Sequence, residues 1–522
     1  MALDLGAAGA RPTDRSAAGT RTAEPADEQQ PTRVGAGDAP DGSAPTVDDR
    51  LRWILPLVLV LFAGILRFAY LPHPERIYFD ETYYATNAAQ LLDYGVEAEP
   101  AVADDPSAGV DPVFVVHPPV GKWLIAAGVA VFGDNSLGWR FSSAVAGTAL
   151  VGVTYAIAMR LFRRRGVAAL TGFLLSIEGL ALTMSRISML DIFLALFVAL
   201  GVWTLLIDRD LRWELVGGPA GAQRRRLPNM PRTYVWLAGL AFGLALATKA
   251  SALLAIAAAG LYLLISELAW RRAVTGRWYA QPWRLIGLGV TALLVVPAAI
   301  YVASYVSWFA NYERTRPGVA ACAEQPCDVG VVDMARGWFG EQQEIYRFHR
   351  DLEVTHSYRA SAALWPITRR PVVYYYEPCL DEGDRRGGCD VPQDTLEEIV
   401  GLGNPAIWWA TLPVYPWLLW AAVRRRDRIA ATIAVLLFVQ YVPWLVQARP
   451  LFYFYALPIV PFVVLALGWA AMKLLPRPRL RWVPIGVATT ALIAFVFWSP
   501  VYYGMAISER AWRMRMWFDS WV

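Results

Sequence analysis

The sequence predicts an all-α polytopic membrane protein with about eleven transmembrane helices. Three observations predict this class: a hydrophobic composition, eleven apolar stretches of near-membrane length, and arginine clusters in alternate connecting loops. Of the 522 residues, 56% are hydrophobic and only 18% are charged, and the mean hydropathy is +0.35. A soluble protein carries about 25% charged residues. The composition therefore excludes a soluble enzyme and a disordered scaffold, and the net charge of +4 is too small for a nucleic-acid-binding protein.

The membrane-spanning segments follow from apolar stretches long enough to cross a bilayer. One helical crossing needs about 20 apolar residues. The predicted spans are 53–70, 138–159, 167–184, 189–207, 234–248, 250–268, 285–306, 404–421, 429–446, 451–472 and 482–503. Residues 1–50 are rich in Ala, Gly, Pro, Asp and Thr, and we expect a disordered cytoplasmic tail without a cleavable signal peptide.

Arginine clusters in every second short loop predict the orientation of these spans. The clusters are Arg163 to Arg165, Arg224 to Arg226, Arg271 with Arg272, Arg424 to Arg426, and Arg477 to Arg481. Positive residues mark the cytoplasmic side of a membrane protein. The N-terminus is therefore expected in the cytoplasm and the C-terminus outside the cell, with two long outer loops at 71–137 and 307–403.

Four cysteines all lie in the second outer loop. They are Cys322, Cys327, Cys379 and Cys389. Their spacing differs from the CxxC pairs of a zinc site. The short separations predict two local disulfides, Cys322 with Cys327 and Cys379 with Cys389, and a crossed pairing is the alternative. Because disulfides form in oxidising compartments, this expectation agrees with the orientation that the arginines predict.

The first outer loop contains an acidic pair, Asp80 and Glu81, in the run IYFDETYYA. Asp80 is expected to cap a helix that runs to about Leu92 and ends at Gly95. Glu81 would then lie in the first turn, where the helix dipole favours a negative charge. The functional interpretation is a carboxylate pair that serves as general base or metal ligand at the membrane surface. The two interpretations are compatible, because a capping residue is rigidly placed.

Five basic residues stand alone at the outer ends of the predicted spans, where cations are unusual. They are Arg67, Arg140, Arg186, Lys249 and Arg449. Any one of them could form an ion pair or extend to the lipid headgroups. Five at the same depth favour a shared anionic ligand, most simply a lipid phosphate. Asp191 is expected either to pair with Arg186 or to be a second acidic residue of the site.

The run HPPVGK, His117 to Lys122, presents a histidine and a lysine on a turn fixed by two prolines and a glycine. A structural turn is the alternative to a binding role. The apolar stretch 122–132 is too short to span and predicts an interfacial or re-entrant helix. In the second outer loop, His349 and His356 lack a recognisable third ligand for a metal, so substrate contact or an ordinary surface position is expected.

These motifs resemble the bacterial type of protein O-mannosyltransferase, within the GT-C class of polytopic glycosyltransferases that use lipid-phosphate sugars. The resemblance covers about residues 50–522. It rests on FDE at Phe79 to Glu81, HPPVGK, GWRF at Gly138 to Phe141, SRISMLD, the ATKAS segment around Lys249, and FYFYALPIVPF. It implies a catalytic transmembrane region at 51–306 including the outer loop 71–137, a disulfide-bearing loop at 307–403, and a four-span region with an outer tail at 404–522.

The resemblance also implies roles for individual residues. Asp80 and Glu81 match the acidic pair of the family, and Arg67 and Arg140 match its arginines. Two departures are visible: the 97 residues of loop 307–403 are too few for the β-trefoil of eukaryotic members, and Ala250 replaces the aromatic residue that usually follows the lysine. The donor phosphate and sugar are expected to contact Arg67, His117, Lys122, Arg140, Arg186, Asp191, Lys249 and Arg449.

The implied reaction is mannose transfer from polyprenyl-phosphate mannose to Ser or Thr hydroxyls of exported proteins at the outer face of the plasma membrane. The chemistry suits the residues, because fixed cations can stabilise a departing phosphate and a carboxylate can accept the hydroxyl proton. Single displacement would invert the anomeric carbon.

No cofactor is expected to be obligatory, and a divalent metal is left open. Acceptor proteins, the secretion translocon and membrane lipids are the expected partners. The alternatives are a related transferase acting on a glycan or lipid and, less favoured because no inverted repeat is visible, a lipid or sugar transporter.

Overall fold

Apolar helices account for most of the structure, in agreement with the composition. The computed structural model describes residues 47–102, 105–218, 226–323, 329–353, 355–380 and 388–522. Most of the tail predicted to be disordered, residues 1–46, lies outside the described residues. Residues 49–522 pack as one compact unit around a continuous apolar core.

Each of the eleven predicted spans corresponds to a helical segment. These helices are Val47–Phe68, Ser136–Phe162, Arg165–Ser176, Leu190–Leu215, Thr233–Leu246, Ala252–Thr275, Pro282–Ser304, Pro405–Arg424, Arg428–Tyr441, Val460–Leu474 and Trp482–Tyr503. The ninth continues through the 3₁₀ turn Val442–Val446, and the tenth is preceded without a break by the 3₁₀ turn Tyr453–Ile459, so these two segments have 19 and 22 residues. Within the described ranges, eight helices are long and apolar enough to cross a membrane, and the first, third and fifth predicted spans are shorter apolar helices. The protein is a multi-pass membrane protein.

The third predicted span differs from the expectation because it is interrupted at Glu178. The helix Arg165–Ser176 ends before this residue and a short helix, Gly179–Met184, begins after it. The buried Glu178 carboxylate accepts hydrogen bonds from two main-chain N–H groups of the short helix, at 2.7 and 3.3 Å. It also accepts from the N–H of Asn404 at 3.1 Å and from the indole of Trp408 at 3.0 Å. Because a new helix begins after the break, its first main-chain N–H groups are free to donate to the buried Glu178 carboxylate, which requires such donors.

Several helices lie between or after the spans. They are Glu81–Tyr94, Val120–Phe132, Val306–Ala310, Arg316–Ala321, Val331–Arg350 and Glu509–Arg513, with 3₁₀ turns at Tyr312–Arg314, Ala362–Ile367 and Asp519–Trp521. The first of these helices confirms the one predicted from Asp80, and it ends at Gly95, whose φ of 76° is the left-handed conformation that glycine favours. The helix Val120–Phe132 confirms the predicted short apolar helix.

The structure is mostly helical, as predicted, and it also contains two small antiparallel sheets that were not predicted. The first pairs Ala98–Val102 with Asp105–Pro112, and the second has the order Val372–Cys379, Thr395–Gly401 and Ile507–Ser508. The strand Val372–Cys379 has the sequence VVYYYEPC, and its β-branched and aromatic residues favour an extended, half-buried strand.

The structure contains the predicted disulfide between Cys379 and Cys389, with Cα atoms 5.7 Å apart. The other predicted pair includes Cys327, which lies outside the described residues. The observed disulfide lies at the end of a strand that packs against the first outer loop, where Tyr375 contacts Tyr78 and Tyr374 contacts Phe79. The disulfide and the acidic pair therefore lie on the same side of the protein.

Candidate active site

Three charged residues from separate elements lie close together. Asp80 precedes the helix Glu81–Tyr94, Asp191 lies in the first turn of Leu190–Leu215, and Lys249 lies just before Ala252–Thr275. The Lys249 Nζ contacts both carboxylate oxygens of Asp191, at 2.9 and 2.8 Å. Asp191 therefore pairs with Lys249, and not with Arg186 as one of the two sequence alternatives held.

Two cations lie near the aromatic ring of Tyr455. Lys249 Nζ lies 4.9 Å from the ring centroid, and the Arg449 guanidinium carbon lies 5.6 Å from it. Arg449 Nη2 donates a hydrogen bond to the Tyr455 hydroxyl at 2.9 Å. Among the described residues, Arg449 forms no ion pair with a carboxylate. Two cations near one ring repel each other, so an anion bound between them would be stabilised.

Two histidines lie next to these cations. The rings of His117 and His349 stack with centroids 5.4 Å apart. His349 Nε2 donates to the Val116 carbonyl at 3.0 Å, which leaves Nδ1 to accept from Arg449 Nη1 at 3.4 Å. Burial lowers the pKa of both imidazoles, and that of His117 falls well below its usual value. Both rings are therefore neutral at pH 7, and His349 orients Arg449 without adding charge.

Asp80 occupies the N-cap position of its helix without capping it. Its side chain makes no cap hydrogen bond, and its φ and ψ of −70° and −4° are helical, unlike those of an ordinary N-cap. Burial raises the pKa of the Asp80 carboxyl to about 6; the Lys249 charge lowers this pKa and the Asp191 charge raises it. The capping interpretation is therefore wrong for the side chain. The carboxylate is available as a proton acceptor.

Glu81 lies directly beside Asp80 but is fully enclosed. Its carboxylate pairs with Arg140, with Nε–Oε1 and Nη2–Oε2 distances of 2.8 and 3.0 Å, and accepts from the N–H of Ser188 at 3.0 Å. Arg140 also donates to four main-chain carbonyls of residues 71–76, at 2.8–3.3 Å. Both side chains are 0% exposed. The pair therefore fixes the loop that carries Asp80, and its contacts leave Arg140 no donor for a phosphate and Glu81 no access to an acceptor.

Three other predicted ligands lie apart from the Tyr455 ring. Arg186 donates to main-chain carbonyls of residues 67–70 and stacks on Tyr503, with its guanidinium carbon 4.3 Å from the ring centroid. Arg67 is fully buried and donates to the carbonyl of Ala63 at 3.2 Å. Lys122 is buried against Glu97, to which its Nζ donates. The five lone cations of the sequence therefore do not form one group.

Sequence reasoning missed Tyr455 and Glu97. The run FYFYALP contains Tyr455 and follows Arg449 closely, so its aromatic density was a usable signal. Nothing in the local sequence connects Glu97 with Lys122, 25 residues away. His356 lies apart from the His349 stack, against the ring of Phe452. Over the described part of the chain, no group of three or more His, Cys, Asp or Glu residues is arranged to hold a metal ion.

Comparisons with family models cover most of the chain. Residues 57–312 match the model described as dolichyl-phosphate-mannose-protein mannosyltransferase. Residues 334–521 match the model for the C-terminal four-span region of protein O-mannosyltransferase.

Curated relatives match along nearly their whole length. The polyprenol-phosphate-mannose–protein mannosyltransferase of Mycolicibacterium smegmatis is 32% identical, over 90% of this chain and 93% of its own. The enzyme of the same name from Mycobacterium tuberculosis is 32% identical over 91% of this chain and 92% of its own. That from Corynebacterium glutamicum is 28% identical, over 92% of this chain and 96% of its own.

Solved structures share the fold. The protein O-mannosyltransferase complex of S. cerevisiae, bound to the sugar donor, superposes with a TM-score of 0.70 at 15% identity, over 92% of this chain and 93% of that chain. ArnT from Cupriavidus metallidurans, bound to undecaprenyl phosphate, gives a TM-score of 0.50 at 19% identity, over 85% of this chain and 64% of that chain. The chain therefore has the GT-C fold that the sequence predicts.

The buried ion pair between Glu81 and Arg140 predicts that Arg140→Gln acts mainly on the stability of the folded protein. The substitution leaves the Glu81 carboxylate buried without its partner, a change that costs roughly 3–5 kcal/mol. We expect a lower midpoint of thermal unfolding and less folded protein in the membrane, measured on detergent-purified material. Arg336→Gln is the control, because that side chain is 77% exposed and should leave the midpoint unchanged. An unchanged midpoint in Arg140→Gln would contradict the structural role.

Proposed function

The chain belongs to the dolichyl-phosphate-mannose-protein mannosyltransferase family, and we propose that it transfers mannose from polyprenyl-phosphate mannose to Ser and Thr hydroxyls of exported proteins with inversion at the anomeric carbon. It is a membrane glycosyltransferase of the GT-C fold. One observation carries the proposal: the uncapped carboxylate of Asp80 lies within electrostatic reach of Lys249, which approaches the Tyr455 ring together with Arg449.

The donor phosphate binds between Lys249 and Arg449 in this proposal. The two cations approach the same Tyr455 ring, and His349 orients the Arg449 guanidinium through Nδ1. Negative charge grows on the phosphate oxygens as the bond to the sugar breaks, and fixed cations stabilise that charge. His117 stacks on His349 beside this position, and we assign it to contact with the mannose. The leaving group is thus stabilised by the chain itself, and we propose no obligatory metal.

Asp80 acts as the general base. The acceptor hydroxyl oxygen attacks the anomeric carbon, the bond between that carbon and the phosphate oxygen breaks, and the hydroxyl proton passes to the Asp80 carboxylate. Asp191 is less suited to this role, because Lys249 engages both of its oxygens. A single displacement of this kind inverts the configuration of the sugar.

The remaining predicted residues position this machinery in the proposal. Glu81 and Arg140 hold the Asp80 loop, and Arg186 holds the end of the first span through carbonyls of residues 67–70. Lys122 joins its helix to Glu97 at the first small sheet. Arg67 is fully buried and donates to the Ala63 carbonyl. None of these five charged side chains needs to touch the donor for the reaction to proceed.

We also place the site on the extracytoplasmic face of the plasma membrane. The arginine clusters support this orientation. The disulfide Cys379–Cys389 supports it independently, since its strand packs on the loop that carries Asp80 and disulfides form in oxidising compartments. Acceptor chains would then reach the site as they leave the secretion translocon.

The acceptor is tested directly by assay. Membranes that contain the protein should transfer radiolabelled mannose from mannosyl-phosphoryl-polyprenol to a peptide rich in Ser and Thr. Label that enters glycan or lipid, with none in peptide, would favour the related transferase. Label that crosses the membrane without transfer to any acceptor would favour a transporter.

Asp80→Asn should reduce the turnover number by roughly a hundredfold or more, because the amide cannot accept the proton. Asparagine keeps the size of the side chain, and no cap hydrogen bond is lost. The measurement is the rate of mannose transfer by purified protein with an unchanged unfolding midpoint. Asp93→Asn, an exposed position on the same helix, is the matched control. Near-normal transfer by Asp80→Asn would refute the role of Asp80 as the general base.

Arg449→Gln should weaken transfer about ten- to a hundredfold, since one charge-assisted contact contributes roughly 1.5–3 kcal/mol. The loss should appear in kcat/KM for the lipid donor and not in KM for the peptide. Arg359→Gln is the control, because that exposed arginine contacts the Ala448 carbonyl close to Arg449. Equal losses in the two variants would argue against a phosphate site at Arg449.

The dependence of kcat/KM on pH should follow the ionisation of the Asp80 carboxyl. Its pKa of about 6 means that the carboxylate is protonated, and cannot accept a proton, as the pH falls through that value. We expect kcat/KM to be constant above about pH 7 and to fall tenfold for each pH unit below about 6. The residual activity of Asp80→Asn should lack this acid limb. The prediction would be contradicted if kcat/KM began to fall only near pH 4, or if the fall near pH 6 persisted in Asp80→Asn.

A further inference from the structure

A cleft lies at the arginine-rich ends of the last spans. Its volume is about 510 Å³. It is lined by Trp417, Trp420, Ala421, Arg425, Asp427, Trp469, Lys473 and Arg477. These residues come from the ends of Pro405–Arg424 and Val460–Leu474 and from the loops that follow them.

The cleft lies far from the candidate active site. The helix Pro405–Arg424 has 20 residues, which corresponds to about 30 Å of rise, and its first residues contact Glu178 near the outer sheet. Tyr455, at the active site, precedes Val460–Leu474, whose last turn carries Lys473. The two sites are thus separated by roughly one membrane thickness. The cleft is not part of the donor pocket.

Three tryptophans form an aromatic wall for the basic side chains. Trp417 and Trp469 lie with ring centroids 4.6 Å apart. The Arg425 guanidinium carbon lies 4.9 Å from the Trp420 ring centroid, and Lys473 Nζ lies 5.9 Å from that of Trp469. Stacking of this kind holds a cation in place without neutralising its charge.

The single carboxylate of the cleft is already committed to the protein. Asp427 accepts hydrogen bonds from two main-chain N–H groups of the helix that follows it, at 3.0 and 3.1 Å, and from the Trp469 indole at 3.3 Å. Lys473 contacts the same carboxylate at 2.7 Å. An ammonium group has three donors, so Lys473 can bind a further anion beside Asp427. The loops 424–428 and 473–481 together carry eight basic residues and one acidic residue.

We propose that this cleft binds the phosphate headgroup of an anionic phospholipid in the leaflet opposite the active site. Arg425, Lys473 and Arg477 supply the positive charge, and the tryptophans supply the amphipathic surface that suits the headgroup level of a bilayer. Basic pockets between transmembrane helices are characteristic sites for cardiolipin and related headgroups. The inference does not depend on the mannosyl donor, because the cleft shares no residue with that site.

The test compares two triple variants with equal loss of charge. The cleft variant is Arg425→Gln, Lys473→Gln and Arg477→Gln. The control is Arg424→Gln, Arg426→Gln and Arg479→Gln, which removes three cations from the same loops but does not alter the lining of the cleft. Each purified protein is titrated with cardiolipin, and separately with phosphatidylcholine and inorganic phosphate, and bound lipid is counted by native mass spectrometry.

Cardiolipin should bind the unaltered protein and the control with similar affinity. The cleft variant should bind about a hundredfold more weakly, since each cation near the membrane surface contributes about fivefold. Equal weakening in both variants would overturn the proposal in favour of general surface attraction. Inorganic phosphate that binds as well as cardiolipin would overturn the lipid assignment. If the triple variant fails to fold, Arg477→Gln alone, at an exposed position, should weaken binding about fivefold, and an unchanged affinity there would refute the site.

Discussion

The buried ion pair between Glu81 and Arg140 is the interaction on which the active site depends. It ties the loop at residues 71–81 to the helix Ser136–Phe162, and through Ser188 to the start of Leu190–Leu215. Two charges removed from water are stable only when their hydrogen bonds are satisfied, and here the neighbouring carbonyls complete the set. Asp80 is placed by this arrangement without needing a hydrogen bond of its own.

Adjacent acidic residues have different environments, and this difference separates their chemistry. Glu81 is neutralised by a guanidinium and serves as an anchor. Among the described residues no guanidinium pairs with Asp80, and burial raises the pKa of its carboxyl towards the range in which a carboxylate is an effective base. Asp191 occupies a third environment, in which Lys249 engages both oxygens and is itself held beside Tyr455. Residue type alone does not distinguish these three carboxylates.

Much of the fold could be predicted because hydrophobicity along the chain reports membrane crossing directly. Each apolar stretch became a helix, since main-chain polar groups in a bilayer must be satisfied within the segment. The break at Glu178 was missed because its hydrogen-bond partners, Asn404 and Trp408, come from a distant span. The sheets were missed because the strand Val372–Cys379 pairs with residues near 400, and short strands have a weak pattern.

Composition and residues close together in the chain were enough to predict the class of protein, the helical spans and the Cys379–Cys389 disulfide, and the resemblance to a known family singled out Asp80 as the candidate base. Which cations lie near Tyr455 depends on contacts between segments that are far apart in the chain. Arg449 and Lys249 are 200 positions apart, yet they flank one tyrosine, whereas Arg140 and Arg186 are used to hold the main chain. Lone charges at similar membrane depth look alike in a sequence. Their partners come from other helices, and packing alone selects those partners.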